Sequence, residues 1–490
     1  MDHSLMILFA IFVPIVWGLF LLIKPEYKSQ KSLVTTTAVG LAFTAAFSLG
    51  VIFCGDMSLQ LITIGKNMDI YFQVDNVSRI FASVVTLIWP LAGVYAFEYM
   101  SHYTENKRFF GFYMMVFGVL LALTFSGSIL TFYVFYEMMS LLSMPLVFHF
   151  RSKEAIMAGL KYLFYSLVGA YCVLFGMYFL NQYTSSLHFA AGGNLVVTAD
   201  NAGILLVAAC AMILGFGVKA GMFPMHAWLP TAHPIAPAPA SAVMSSLIVK
   251  MGVLGMFRVV YFIFGTEFLR GTWVQTLWLI LTLVTVFMGS MLAYREKVFK
   301  KRLAYSTVSQ LSYILFGFAC MHPVALAGAL LHVVFHAVIK SALFMSAGAV
   351  IHQTGKTRVD ELRGIGKEMP MILWSFTLCA CALIGFPPFS GFISKWYLAT
   401  GALQTDIGVF AWLGPVVLLI SALLTAGYLL PISIDGFLPG ADYDYKNLKK
   451  KEPKPVMVVP IVVLALITVL LGVFPNPLIR LVEAIAQAVM

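Results

Sequence analysis

Apolar residues follow one another in long runs along almost the whole chain, and short polar segments separate these runs. About 20 apolar residues in a helix cross a hydrocarbon layer roughly 30 Å thick. The pattern therefore predicts an all-α integral membrane protein with fourteen spans. The predicted spans are residues 5–23, 33–54, 80–99, 109–126, 129–149, 160–180, 203–224, 236–264, 273–293, 303–321, 323–352, 371–403, 407–432 and 456–475.

The composition agrees with this prediction. Of the 490 residues, 61% are hydrophobic and 11% are charged, whereas a soluble globular protein carries about 25% charged residues. A net charge of +10 would suggest a nucleic-acid partner in a soluble protein. In a membrane protein it is better explained by basic loops on one side of the bilayer. We expect no nucleic-acid partner, and a multi-pass location in the inner (cytoplasmic) membrane of the cell.

The basic residues of the loops predict the orientation. The loops after spans 1, 3, 5, 9, 11 and 13 hold 22 lysines and arginines, Lys28 and Lys446 among them. The opposite side holds four, namely Lys66, Arg79, Arg270 and Arg480. Basic loops face the cytoplasm, so both termini are predicted to lie outside.

Five basic residues remain inside the predicted spans: Lys219, Lys250, Arg258, Lys340 and Lys395. A charged group at membrane depth costs at least a few kcal/mol, so it needs a function or a partner. Arg258 lies toward the end of its span, where we expect it to reach the interface by snorkelling. Lys219 and Lys250 could also snorkel, or they could change protonation state during turnover.

Other titratable side chains lie in the same apolar sequence. Glu137 must be protonated or paired at its depth; a neutral, hydrogen-bonded glutamic acid is the alternative. His332, His336 and Lys340 recur every four residues and therefore share one helix face, which suggests a proton path, although the histidines could instead be satisfied core residues. His226 and His233 lie in the connection after Lys219 and could act as relays or be structural.

Metal and redox chemistry finds no support in the sequence. The six cysteines are scattered and form no CxxC pair, which disfavours a zinc site, an iron–sulfur site or a disulfide framework. Neither carboxylates nor cysteines accompany His332 and His336 in the sequence. We therefore expect no cofactor and no metal.

Two of the lysines lie beside interrupted spans. Lys219 is flanked by glycines and followed by Pro224, and Lys395 follows a segment with Pro387 and Pro388. Interrupted helices at corresponding places in two halves of a chain point to a transporter built from inverted repeats. The predicted organisation is an N-terminal part (1–108), a first repeat (109–264), a second repeat (265–432), and a basic cytoplasmic loop with the last span (433–490).

Four stretches carry a family resemblance: FYEMMSLLSMPLV, KAGMFPMHAWLPTAHPIAPAPASA, HVVFHAVIKSALF with GAVIH, and GFPPFSGFISK. The chain resembles the antiporter-like membrane subunits shared by respiratory complex I (NADH-quinone oxidoreductase), Mrp-type Na⁺/H⁺ antiporters, whose D-type component it resembles most, and membrane-bound energy-converting hydrogenases. The resemblance implies a fourteen-helix core with two inverted five-helix repeats and a polar axis at mid-membrane. It implies that Glu137 pairs with Lys219, and that the axis continues through Lys250, His332, His336, Lys340 and Lys395.

The function that this resemblance implies is translocation of protons, or of sodium and protons, through the Glu/Lys/His axis. Redox chemistry or an opposing ion gradient in partner subunits would drive it. The expected partners are other membrane subunits of the same complex, a hydrogenase or dehydrogenase module, and the lipid bilayer. The alternatives are a quinone- or redox-site subunit without an ion pathway, and a purely structural scaffold, which would leave the buried charges without a purpose.

Overall fold

The computed structural model describes residues 4–25, 27, 29–65, 68–184, 186–441, 443 and 449–490, most of which are helical. Lys28, Lys66 and Lys446 of the charge count lie outside the described residues. The first seven helices are α1 (Leu5–Ile23), α2 (Gln30–Phe53), α3 (Asn76–Tyr99), α4 (Asn106–Thr124), α5 (Ile129–Val147), α6 (Lys153–Tyr183) and α7 (Ala202–Lys219).

The remaining helices follow the interruption after Lys219. The next seven are α8 (Leu229–Ile235), α9 (Ala238–Val243), α10 (Val249–Val259), α11 (Thr266–Leu269), α12 (Trp273–Arg295), α13 (Phe299–Ala319) and α14 (Pro323–Thr354). The last six are α15 (Ile365–Glu368), α16 (Pro370–Ile384), α17 (Ser390–Leu403), α18 (Phe410–Phe437), α19 (Pro455–Val473) and α20 (Asn476–Ala488).

Twelve helical segments of the described residues are long and apolar enough to cross a membrane, so the chain is a multi-pass membrane protein. They coincide with twelve of the fourteen predicted spans. The tenth predicted span is α13, which begins with a basic turn that includes Lys300 and Arg302. The twelfth is divided between α16 and α17, which are 15 and 14 residues long. Fourteen crossings and two inverted repeats therefore remain predictions.

A β-hairpin is the main departure from an all-α chain. Strands β1 (Met57–Gly65) and β2 (Met68–Val74) pair antiparallel in a segment for which the sequence suggested only a short surface connection. The hairpin is attached to the loop between α4 and α5, because Gln73 N–H donates to Phe125 O and Gly127 N–H donates to Tyr71 O. Phe72 is fully buried and anchors the hairpin to the helices.

Both predicted interruptions are present. Helix α7 ends at Lys219, and the chain turns through Gly221, whose φ of +71° favours glycine. Helix α16 ends before Gly385, whose φ is +100°, and α17 begins five residues later. At the first break Trp228 Nε1 donates to Val218 O at 2.8 Å, so one carbonyl freed by the end of α7 is satisfied.

The segment between α9 and α12 contains two wide turns that the sequence did not reveal. Residues Met244–Ile248 and Val260–Phe264 are π-helical and flank α10 on both sides. The whole span Ala238–Phe264 is buried inside the protein, and α14, with 32 residues, packs against it. Single π-turns inside longer helices occur frequently at functional sites.

Candidate functional site

Lys219 ends α7 in a pocket of hydroxyl groups. Its Nζ donates to Ser140 Oγ at 2.9 Å, to the Tyr162 hydroxyl at 3.0 Å and to Ser166 Oγ at 2.8 Å. The Tyr162 ring also lies under the ammonium, 4.4 Å from Nζ to the ring centroid. All three donors of the buried ammonium are thereby satisfied, and the C-terminal end of the α7 dipole favours a cation at this position.

Glu137 lies one helical turn from Ser140 on α5 and is half-buried. Its Oε1 accepts a long hydrogen bond of 3.4 Å from the Tyr133 hydroxyl. Among the described residues, no basic nitrogen lies within 4.0 Å of its carboxylate. The direct Glu137–Lys219 pair implied by the resemblance is therefore not formed in this structure, because hydroxyls occupy the three donors of Lys219.

Lys250 contacts a histidine of another helix. Its Nζ lies 2.6 Å from Nδ1 of His336 on α14 and donates to Ser245 O at 2.8 Å. Ser245 belongs to the π-helical turn directly before α10. The Ser245 hydroxyl instead bonds Thr307 Oγ1 at 2.7 Å, and Ser246 Oγ accepts from Ser341, so neither hydroxyl holds Lys250 as the sequence suggested.

The two histidines of α14 continue the polar chain. The ring centroids of His332 and His336 are 5.8 Å apart. His332 Nε2 lies 3.1 Å from Gln310 Oε1, and its Nδ1 lies 2.9 Å from Ser394 Oγ. With the amide in this orientation Gln310 accepts, so the ring proton is on Nε2 and the Ser394 hydroxyl donates to Nδ1. His336 Nε2 and Gln310 Nε2 are buried without a hydrogen-bond partner.

Lys395 follows Ser394 directly and lies against the second helix break. Its Nζ donates to Leu383 O at 2.6 Å and to Ile384 O at 2.9 Å, the last two carbonyls of α16. A helix C-terminus carries partial negative charge, so it stabilises the ammonium. The Tyr313 ring is 5.1 Å from Nζ and stacks on His332 at 5.6 Å between centroids.

Lys340 lies one turn beyond His336 on the same face of α14, as its spacing predicts. Its Nζ donates to Leu303 O at 3.1 Å and the residue is fully buried. The histidines of the connection after Lys219 do not join this group. His233 is buried with neither ring nitrogen bonded and stacks on Phe344, and His226 is half-buried near Phe223.

Arg258 does not snorkel, so that prediction is wrong. It donates to both carboxylate oxygens of Asp75 at 2.6 and 2.8 Å and to Ser78 Oγ at 3.2 Å, between the rings of Phe189 and Phe262. Asp75 also caps the start of α3. Burial raises the pKa of the Asp75 carboxyl, but Arg258 and the Ser78 hydrogen bonds more than offset this and hold the pKa below its usual value.

The structure thus divides the expected residues into two groups. Lys250, His336, His332, Ser394 and Lys395 form one buried chain across α10, α14 and α17, with Lys340 beside it. Lys219 lies in a separate hydroxyl pocket next to Glu137. The sequence alone missed Ser140, Tyr162, Ser166, Gln310 and Ser394; of these, only the amide of Gln310 within an apolar span was a usable signal.

Comparison with known proteins agrees with this architecture. The family model described as NADH:quinone oxidoreductase/Mrp antiporter, transmembrane, matches residues 126–425, more than half of the chain. The chain belongs to this family. A second model, NADH-ubiquinone oxidoreductase (complex I) chain 5 N-terminus, matches residues 61–110.

Two curated relatives come from different branches of the family. The chain is 33% identical to the N-type component of NADH-quinone oxidoreductase from Desulforudis audaxviator, over 79% of this chain and 78% of that protein. It is 27% identical to the D-type component of the Na⁺/H⁺ antiporter from Alkalihalophilus pseudofirmus, over 99% of this chain and 97% of that protein. A chain of the Mrp complex from Dietzia has the same fold, with a TM-score of 0.84 at 21% identity, covering 99% of this chain and 97% of that one.

Proposed function

We propose that this chain is the proton-translocating, antiporter-like subunit of a multisubunit membrane complex. The observation that carries the proposal is the buried chain Lys250–His336–His332–Ser394–Lys395. Its five residues come from three helices, and its protonatable groups are buried in the middle of a membrane protein. Buried titratable groups in a membrane domain mark ion pathways far more often than structural contacts.

The chain has the parts that a proton relay needs. Nζ of Lys250 and Nδ1 of His336 are close enough for direct proton transfer, and Ser394 Oγ connects His332 to the residue before Lys395. Between the two histidine rings a water molecule is required, and the unpartnered Nε2 of His336 would bind one. Two ammonium groups repel each other in a low dielectric, so protonation of Lys395 and of Lys250 would oppose each other and drive the proton onward.

Lys219 and Glu137 would form the input switch. The present hydroxyl contacts hold the lysine charged, and the carboxylate lies one turn away along α5. If Glu137 replaces a hydroxyl at Lys219, the ammonium gains a counter-charge, and if it withdraws, the ammonium loses it. Such a movement would couple events in a neighbouring subunit to the relay.

The setting of this activity is the inner (cytoplasmic) membrane, with both termini outside, as the loop charges suggest. The relatives are named as subunits of NADH-quinone oxidoreductase and of a Na⁺/H⁺ antiporter, so the partners are other membrane subunits with a redox module or an opposing ion pathway. Coverage over the full length favours an Mrp-like module, whereas the higher identity favours a complex I-type subunit.

The experiment replaces Lys250 with alanine in the intact complex and follows proton movement in inverted vesicles with a pH-sensitive dye. We expect loss of the proton flux that this subunit carries, with the complex still assembled. Lys301→Ala is the control, because that surface lysine pairs with Glu296 away from the axis and should have no effect. Full proton flux in an intact Lys250→Ala complex would contradict the proposal. Loss of electron transfer alone, with quinone bound by the isolated subunit, would favour a redox subunit instead.

A further inference from the structure

A second group of metal-binding side chains lies away from the polar axis, where the C-terminal ends of α3 and α14 meet. Glu98 is in the last turn of α3, His102 ends the 3₁₀ turn that follows, and His352 is in the last turn of α14. One ligand atom from each residue lies within 4.8 Å of the other two. The rings of His102 and His352 are 4.9 Å apart between centroids.

The local sequence explains why these side chains converge. Glu98 and His102 are four residues apart and therefore project from the same side of the chain, with 3.8 Å between Oε1 and Nε2. The third donor comes from another helix some 250 residues later, and α3 is already bound to that helix through the Tyr95 hydroxyl, which donates to Met345 O at 3.0 Å. The three donors are thus carried on two packed helices and not on a loop.

We propose that Glu98, His102 and His352 bind a divalent transition-metal ion of the Zn²⁺ class. Two imidazole nitrogens and one carboxylate oxygen are a typical zinc ligand set, with a fourth position left open for water. Mg²⁺ and Ca²⁺ prefer oxygen donors and are disfavoured. Tetrahedral bonds of about 2.0–2.1 Å place ligand atoms about 3.4 Å apart, so the widest separation must close by roughly 1.4 Å. The side chain of His102 is 62% exposed and is free to make that movement.

Lys454 currently occupies the cation position at the carboxylate. Its Nζ lies 3.0 and 3.3 Å from the two carboxylate oxygens of Glu98. The side chain of Lys454 is 70% exposed, so it can leave into water at little cost. The metal ion and this ammonium therefore compete for Glu98, and removal of the lysine should strengthen metal binding.

A bound ion would tie the end of α14 to α3. Helix α14 carries His332, His336 and Lys340, so the ion would restrict any movement of that helix during turnover. This consequence rests on the proposed function, whereas the binding itself does not. The site was not expected from the sequence, because its residues lie far apart along the chain and outside the motifs.

Binding is tested with the full chain, purified in detergent through a tag without histidine. Zn²⁺ is titrated by calorimetry, and Co²⁺ is titrated by its visible absorption, which reports the ligand geometry. We expect one site in the wild type, at least about tenfold weaker binding in His102→Ala and in His352→Ala, and tighter binding in Lys454→Ala. His188→Ala is the matched control, because His188 bonds the carboxylate of Asp69 without a second imidazole and should leave the binding unchanged.

Absence of binding by the wild type would overturn the proposal, as would unchanged binding in the His102→Ala/His352→Ala double variant. Failure of Lys454→Ala to strengthen binding would refute the competition. Proton flux is then measured with and without Zn²⁺, with inhibition expected in the wild type and not in His102→Ala. Binding without inhibition would refute the restraint on α14 and leave the metal site standing. A complex that moves no protons in any condition would count against the proposed function and not against the site.

Discussion

Ser394 connects the central histidines to the lysine at the second helix break, so its hydroxyl is a sharp test of the relay. In Ser394→Ala, Nδ1 of His332 loses its 2.9 Å partner while the ring stays fully surrounded by protein. A buried polar group without a partner is destabilised by about 1–3 kcal/mol. If this whole loss falls on the proton-transfer step, the rate drops about 5- to 160-fold, since each 1.36 kcal/mol is a factor of ten.

The assay is dye-monitored proton flux in inverted vesicles that contain the intact complex. Ser290→Ala is the matched control: Ser290 is also fully buried, and its hydroxyl bonds Ser309 and Ser421 at 2.8 and 2.5 Å, away from the axis. Both variants delete one buried oxygen and lose similar stability, but only Ser394→Ala should slow proton movement. Ser394→Thr keeps the hydroxyl and should retain most of the flux.

Two results would refute this reasoning. Equal flux in Ser394→Ala and the wild type would mean that protons do not pass between His332 and Lys395 through this hydroxyl. Equal slowing by Ser394→Ala and Ser290→Ala would mean that the effect comes from packing and not from the hydrogen bond.

The other predictions concern stability. Arg258→Leu should destabilise the protein by about 2–3 kcal/mol, below the range for a fully buried pair because the side chain of Asp75 is 26% exposed, and adding Asp75→Asn should restore part of the loss in thermal unfolding. Because the folded-state pKa of Asp75 is lowered, its contribution is present above the unfolded pKa of about 3.9 and is lost as the pH falls through the folded value; the difference in melting temperature between wild type and Asp75→Asn should therefore shrink below about pH 4. Gly385→Ala should cost about 1–3 kcal/mol of backbone strain and also slow proton flux, because the new Cβ would lie 3.2 Å from Cδ of Lys395. Gly192→Ala, at a φ of +82° with nothing within 4 Å, should cost stability alone.

Much of the helical architecture could be predicted, because the bilayer imposes a simple rule on sequence. Apolar runs of fixed length mark the spans, and proline next to glycine marked both interruptions, beside Lys219 and Lys395. The four-residue spacing of His332, His336 and Lys340 placed them on one face, since periodicity is a local property of a helix. These inferences needed no knowledge of which helices touch.

The contacts of the site could not be predicted, because they join residues far apart along the chain. Lys219 is satisfied by hydroxyls 53 to 79 residues earlier, and serine is too common in apolar helices for Ser140 or Ser166 to stand out. Arg258 was misjudged for the same reason: its partner, Asp75, precedes it by 183 residues. The hairpin was missed because its strands are short and mostly exposed, so that alternation of apolar and polar residues is weak.

The π-helical turn before Lys250 has a consequence for how this gene can change. A π-turn accommodates one residue more than an α-turn, so deleting a residue from Met244–Ile248 would restore ordinary helix pitch and rotate everything after it by about 100°. Lys250 would then point away from His336, although every amino acid of the pair would still be encoded. Insertions and deletions in this stretch should therefore be lethal to transport even where single substitutions are tolerated, and a deletion scan across residues 240–256 would reveal it as a sharp, frame-preserving zone of intolerance.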